Sequence, residues 1–164
     1  MKYLHGKMER EAILYMEKAA KIALKSSCLR AKCGSVVVKD NEIIGEGYNS
    51  PPGDKPLERC IKDELPEDFI SDRTCCIHAE DRAIRYALKN NPDQIIGSIL
   101  YFVRLDKQRD IVKINNIKTG KPYCTWCSKT ALDVGIVEFV LWYEEGICVY
   151  DTKEYNKLSF QYKP

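Results

Sequence analysis

His78-Ala79-Glu80-Asp81-Arg82-Ala83-Ile84-Arg85-Tyr86-Ala87-Leu88-Lys89, then Gly97-Ser98-Ile99-Leu100-Tyr101-Phe102-Val103-Arg104, then Cys124-Thr125-Trp126-Cys127 and the residues to Val134, then Val137-Glu138-Phe139-Val140-Leu141-Trp142 set the fold class. The first block has apolar residues Ala79, Ala83, Ala87 and Leu88 at helical spacing, which predicts a helix with those four toward the core. The second is a short apolar run of strand length. The third predicts a helix over 125–134, closed by Gly135 as a cap. The fourth is a second buried strand. Strands alternating with helices imply parallel pairing through crossovers, and hence an α/β domain.

Upstream, Glu9 to Lys25 predicts a helix with Ile13, Met16, Ala20, Ala23 and Leu24 on one face. Gly34–Lys39 and Glu42–Tyr48 read as strands joined by an Asp40-Asn41 turn, a β-hairpin. Asn49–Thr74 carries Pro51, Pro52, Pro56 and Pro66 and little periodicity, so it reads as a long loop. Leu105–Pro122 is a second irregular stretch, with room for a short hairpin arm around Val112 and Ile114. The tail predicts a strand near Ile147 and a short helix near Glu154. The order is αββαβαβ with a further strand and helix, and residues 1–164 read as a single domain.

Composition bounds the function. The chain has 164 residues, 45% of them hydrophobic and 30% charged, enough for one core. Its apolar runs are too short to span a bilayer. Met1–Glu17 is studded with charges and lacks the apolar segment of a signal peptide, so the expected location is cytoplasmic. The 26 basic and 24 acidic residues balance to +2, which argues against nonspecific nucleic-acid binding while leaving room for a local phosphate pocket. In that setting the eight cysteines point to metal binding or catalysis rather than disulfides.

His78-Ala79-Glu80 and Cys124-Thr125-Trp126-Cys127 each open a helix, with a strand between them. Alone, the first is a helix start, and the second is a redox pair or half of a structural zinc site. Together they resemble the zinc deaminase signature H-x-E followed by C-x-x-C. A catalytic zinc takes three protein ligands and keeps a position for water, and His78, Cys124 and Cys127 supply those three. Zinc would lower the pKa of that water, and the hydroxide would attack an amidine carbon such as C4 of cytosine. Glu80 would move protons from the water to the ring nitrogen and to the leaving ammonia.

The resemblance extends over residues 20–150. Ser27-Cys28-Leu29-Arg30, Cys33–Asp40, Gly47-Tyr48-Asn49-Ser50-Pro51-Pro52, Cys75–Ile84 and Thr130–Val140 are similar to segments of the deoxycytidylate deaminases, in the cytidine/deoxycytidylate deaminase-like superfamily. This implies a three-layer αβα sandwich around a five-stranded mixed sheet, a homo-oligomer, zinc on His78, Cys124 and Cys127, and Glu80 as catalytic residue. It also implies substrate contacts from Asn49 to a sugar hydroxyl and from the Ala79 backbone N–H to the pyrimidine carbonyl. Two departures stand out. Pro122-Tyr123-Cys124 inserts a tyrosine into the family's P-C-x-x-C, and Arg82 replaces the asparagine of H-A-E-x-N-A. Arg82 is a candidate for holding a substrate phosphate or for an ion pair with Asp81 or Glu58, and Arg30 is a weaker phosphate candidate. The Leu105–Lys121 insertion reads as a surface excursion, a lid, an oligomer arm or a contact for a larger substrate.

Some relatives carry a second, structural zinc, for which Cys60 and Cys75 are candidates, joined by His5 or Cys28. Cys148 reads as core. Tyr48, Trp126, Trp142 and Tyr143 are aromatic enough to stack on a base, though strand-end aromatics are more often core. The expected function is hydrolytic deamination of a free cytosine-type nucleotide, dCMP or similar. The rivals are the same chemistry on another base, nucleoside or nucleic acid, a non-catalytic zinc module, and a thiol–disulfide protein using Cys124 and Cys127.

Overall fold

The computed structural model describes residues 1–65, 75–105 and 121–162. The hairpin arm expected around Val112 and Ile114 lies outside them. β1 (Lys2–Tyr3), α1 (Gly6–Ala23), β2 (Lys32–Lys39), β3 (Glu42–Tyr48), α2 (Ala79–Asn90), β4 (Ile99–Leu105), α3 (Thr125–Asp133), β5 (Glu138–Tyr143), β6 (Gly146–Asp151) and α4 (Thr152–Ser159) follow in chain order. The described strands form one sheet in the order β1-β6-β5-β4-β2-β3, with β4 and β5 parallel and every other pair antiparallel.

Both sheet faces are covered, which is why its central strands read as near-continuous apolar runs. Side chains alternate between two cores. Val36, Val38, Tyr101, Val103, Val140, Trp142, Ile147 and Val149 pack under α1 with Met16, Ala19, Ala20 and Ala23. Val37, Leu100, Phe102, Phe139, Leu141, Cys148 and Tyr150 face Ala79, Ala83, Ile84 and Ala87 of α2, Ala131 of α3 and Tyr155 of α4. The three-layer sandwich is the expected one.

The sheet has six strands rather than five. The extra one is β1, two exposed residues paired with Val149 and Cys148 of β6. Nothing in a dipeptide announces a strand, because its pairing is set by where α1 delivers the chain to the sheet edge. Leu88, expected in the core, is 41% exposed, since α2 lays only its alanine stripe and Ile84 on the sheet.

Close approach of α2 to β3 rests on two glycines. A Cβ at Gly47 would lie 2.2 Å from the Ala79 carbonyl oxygen, and one at Gly45 would lie 2.4 Å from that of Ala83. Glycine on the strand and alanine on the helix thus bring the first turn of α2 down onto the sheet. At the other motif, α3 ends as the sequence predicts. Gly135, at φ 85°, donates to Leu132 O at 3.3 Å, and Ile136 N donates to Ala131 O at 3.0 Å, a Schellman closure that turns the chain into β5.

Candidate active site

His78 and Cys124 occupy the N-cap positions of α2 and α3, so two helix N-termini meet at one point. His78 Nδ1 lies 3.2 Å from Cys124 Sγ and 3.4 Å from Cys127 Sγ. Among the described residues these three make the one group whose donor atoms all fall within 4.8 Å of one another. The Cys124 thiol accepts the Cys127 backbone N–H at 3.2 Å, the contact that a cap makes at a helix start. Contact with Cys127, and then with His78, pulls the Cys124 thiol down to about 5. The Cys124 contact raises His78 to about 9. One imidazole nitrogen and two clustered sulfurs, one of them already acidic, are the soft tetrahedral donor set that zinc takes.

Glu80 follows in the first turn of α2, 1% exposed. Burial pushes its carboxyl up to about 7, with Cys124 adding to the shift and His78 opposing it. Its Oε1 has no hydrogen-bond partner among the described residues. A buried carboxylate oxygen without a partner beside a metal-type donor triad fits a site where water and a cation belong.

His78, Glu80 and Cys124 line a cavity of about 280 Å³ together with Asn49 and Ala79. Asn49 is buried and largely committed. Its Oδ1 accepts from Ser26 Oγ at 2.8 Å and from Cys33 N at 2.7 Å, and its Nδ2 donates to Ala31 O at 2.9 Å. One amide N–H is left over from these bonds, on a residue that lines the cavity. Asn49 is therefore a loop brace as well as a cavity residue.

Arg82 does not line the cavity. Its Nη1 donates to Asp54 Oδ1 at 2.6 Å, its Nη2 to Ser50 O at 3.4 Å, and the guanidinium stands 5.1 Å from the Tyr48 ring centroid. Tyr48 Oη in turn donates to Asp54 at 3.0 Å. Neither Asp81 nor Glu58 is its partner there, since Asp81 takes Arg85 at 3.0 Å. Arg82 fastens the 48–54 turn beneath the cavity.

The remaining cysteines gather on the cavity wall. Cys60 and Cys75 Sγ lie 3.9 Å apart, as do Cys75 and Cys76, and Cys28 lines the same wall. His5 is the exposed N-cap of α1 and is not part of this wall. Cys148 and Trp142 are core, and Trp126 is 61% exposed. The lining also holds Tyr123, the tyrosine before the cysteine motif, and Lys62 and Arg104, to which sequence reasoning gave no role in the site. Arg104 had a signal, a charge closing an apolar strand. Lys62 had none.

The family model for the cytidine and deoxycytidylate deaminase zinc-binding region matches residues 9–143. A deoxycytidylate deaminase of Mycobacterium phage D29 is 36% identical over 94 residues, 52% of this chain and 71% of the phage protein. That of Saccharomyces cerevisiae is 31% identical over 85 residues, 49% of this chain but only 27% of the yeast protein's length. Among solved structures, the dCMP deaminase of cyanophage S-TIM5 in complex with dCMP and dUMP aligns over 82% of each chain at 26% identity and a TM-score of 0.55. A cytidine deaminase from Burkholderia pseudomallei aligns over 87% of this chain and 94% of its own at 16% identity and a TM-score of 0.55, a likeness of fold.

Proposed function

This chain belongs to the cytidine and deoxycytidylate deaminase family of zinc-dependent hydrolases, and on that premise we propose that it deaminates a free cytosine nucleotide, dCMP or a close relative. Water adds at C4 and the exocyclic amino group leaves as ammonia, giving the uracil nucleotide. The observation that carries the reading is the buried, unpartnered Glu80 carboxylate oxygen beside the His78, Cys124 and Cys127 donors, with Glu80, His78 and Cys124 lining one cavity.

We assign zinc to His78, Cys124 and Cys127. When bound there, it supplies Lewis acidity that brings a water's pKa toward neutrality. Glu80 Oε1 would take one proton from the attacking water and pass it to ring N3, then take the second from the hydroxyl added at C4 and give it to the departing amino group as the C4–N bond breaks. Its burial excludes bulk water from that relay. On this reading the N–H of Ala79, which starts α2 and lines the cavity, holds the pyrimidine carbonyl. On the same reading the spare Asn49 N–H takes a sugar hydroxyl. Arg82 supports both indirectly by fixing the turn that follows Asn49.

Of the candidates for a second zinc, Cys28, Cys60 and Cys75 reach the cavity wall and His5 does not, but among the described residues these thiols do not close into a metal-type group as His78, Cys124 and Cys127 do. Sedimentation velocity reads the homo-oligomer that the family resemblance implies.

The deciding experiment incubates zinc-loaded protein with dCMP, CMP, deoxycytidine, cytidine, cytosine, guanine and a short single-stranded oligonucleotide. Ammonia release is followed, with Glu80→Ala as control. Release from a cytosine nucleotide, lost in the variant, is the expected result. Silence across the panel with zinc bound would sink the reading and favour a non-catalytic zinc module.

A further inference from the structure

Cys60 and Cys75 stand on the cavity wall as free thiols with their sulfurs 3.9 Å apart, and Cys76 lies equally far from Cys75. A zinc ion bound to thiolates at about 2.3 Å gathers its sulfurs to within about 4 Å of one another. The thiols of this wall do not gather as a set of three, since among the described residues only His78, Cys124 and Cys127 form such a group. They meet in pairs, which is the geometry of thiol–disulfide chemistry.

Of the two pairs, Cys60 with Cys75 is the one that can close. Adjacent residues have Cα atoms about 3.8 Å apart, short of the roughly 4.4–6.8 Å that a disulfide usually spans. Cys60 and Cys75 are free of that restraint, one standing before the 3₁₀ turn Ile61–Glu64 and the other three residues before His78. They are also unequally exposed. Cys60 is buried and Cys75 half-buried, so an oxidant reaches Cys75 first.

We infer that Cys60 and Cys75 form a modification site for hydroperoxides, a dithiol that closes to a disulfide and lowers deamination while it is closed. The site stands apart from the deaminase reading, and only its effect on turnover rests on that reading. The Cys75 thiolate attacks one oxygen of hydrogen peroxide, the O–O bond breaks, and a sulfenic acid is left on Cys75 as water departs. The Cys60 thiolate then attacks the Cys75 sulfur, the S–S bond forms, the S–O bond breaks and a second water leaves. Two thiols thus give two electrons and two protons to one peroxide. A small thiol in excess reverses the step by exchange and leaves as its own disulfide. In a reducing compartment such bonds form transiently and serve as sensors rather than struts.

Closure draws the two sulfurs from 3.9 Å to about 2 Å. The lead-in from Cys75 to His78 is short, and Ile77 within it is tied by its N–H to Ser50 O at 2.9 Å. Little slack remains to absorb the pull before the first turn of α2, which carries Glu80. A displacement of about 1 Å at such a place can cost on the order of a hundredfold in rate.

The test treats the full, zinc-loaded chain with stoichiometric hydrogen peroxide and then with dithiothreitol, following ammonia release from dCMP, zinc content and peptide masses. Cys60→Ala and Cys75→Ser pass through the same cycle, each measured against its own reduced state. Oxidised wild type should yield a Cys60–Cys75 cross-linked peptide, keep its zinc, lose turnover by about tenfold or more and recover on reduction. Both variants should lack the cross-link and hold their reduced-state turnover through the peroxide step. Cys60 and Cys75 left unlinked by peroxide would overturn the site. So would an equal loss in wild type and variants that tracks zinc release, which would place the oxidation on Cys124 and Cys127. A second zinc in the reduced wild type, missing from both variants, would overturn it by making the wall a metal centre. A cross-link that leaves turnover unchanged would overturn its control of the reaction. If no dCMP is deaminated while the cross-link forms and reverses, the deaminase reading fails and the dithiol stands.

Discussion

Glu80 and Asn49 make different demands on the same cavity. Glu80 is expensive to bury and has an oxygen that no described residue satisfies, so its cost is offset only if the site uses it. Glu80→Gln should retain zinc and lose at least about a hundredfold in turnover, read by ammonia release beside metal analysis. A variant that keeps near-wild-type turnover would remove Glu80 from the chemistry. Asn49 spends its amide on Ser26, Cys33 and Ala31. Asn49→Ala should therefore cost about 1–3 kcal/mol in urea denaturation, besides any rise in KM, because a buried N–H and a carbonyl lose their partner. Asp54 gives a pH signature. The Ser50 hydroxyl, and beyond it Arg82 and Tyr48, hold its carboxyl below the usual carboxylate range. A depressed carboxylate contributes stability above its unfolded pKa and loses it as pH falls through the folded one. The melting-temperature gap between wild type and Asp54→Asn should thus be full near neutrality and close in acid below the ordinary Asp range. A gap that widens in acid would contradict the assignment.

At the scale of elements, the site exists because two helices begin at one place. α2 is brought there by glycines facing alanines, and the spacing leaves no room for a methyl group. Gly47→Ala should cost about 1–3 kcal/mol and lower activity beyond what that destabilisation explains, because the shifted turn carries His78 and Glu80. Unchanged stability and activity would mean that α2 adjusts freely. α3 is positioned at both ends, by the Cys124 cap and by the Gly135 closure. Its sequence made both ends visible. The exposed flank of α2 was misjudged at Leu88, since helical spacing marks a stripe and the width of the buried stripe depends on how the partner sheet curves beneath it.

For the whole molecule, a zinc held by His78, Cys124 and Cys127 would tie together α2 and α3, which the chain joins only through a long connection. Removing zinc with a chelator should abolish ammonia release and lower the melting temperature, and adding zinc back should restore both. A ligand bound only by the folded state adds about 4 kcal/mol at a thousandfold excess over its dissociation constant. No helix among the described residues is long and apolar enough to cross a membrane.

Periodicity, turn chemistry and two short motifs were sufficient for the α/β layers, the Asp40-Asn41 hairpin, the parallel β4–β5 pair and the zinc-type triad. Each of these is written locally, as spacing along a helix or strand, or as residue types that only one chemistry needs. The tertiary structure decided what depends on distant segments meeting. It paired β1 with the sheet edge, turned Leu88 outward, engaged Arg82 with Asp54, and gathered Cys28, Cys60, Cys75 and Cys76 on one wall without His5. It also brought Arg30, Lys62 and Arg104 to the same cavity from three places in the chain. A cation's role is set by which carboxylate or cavity lies within a few ångströms, and that proximity is created only by folding.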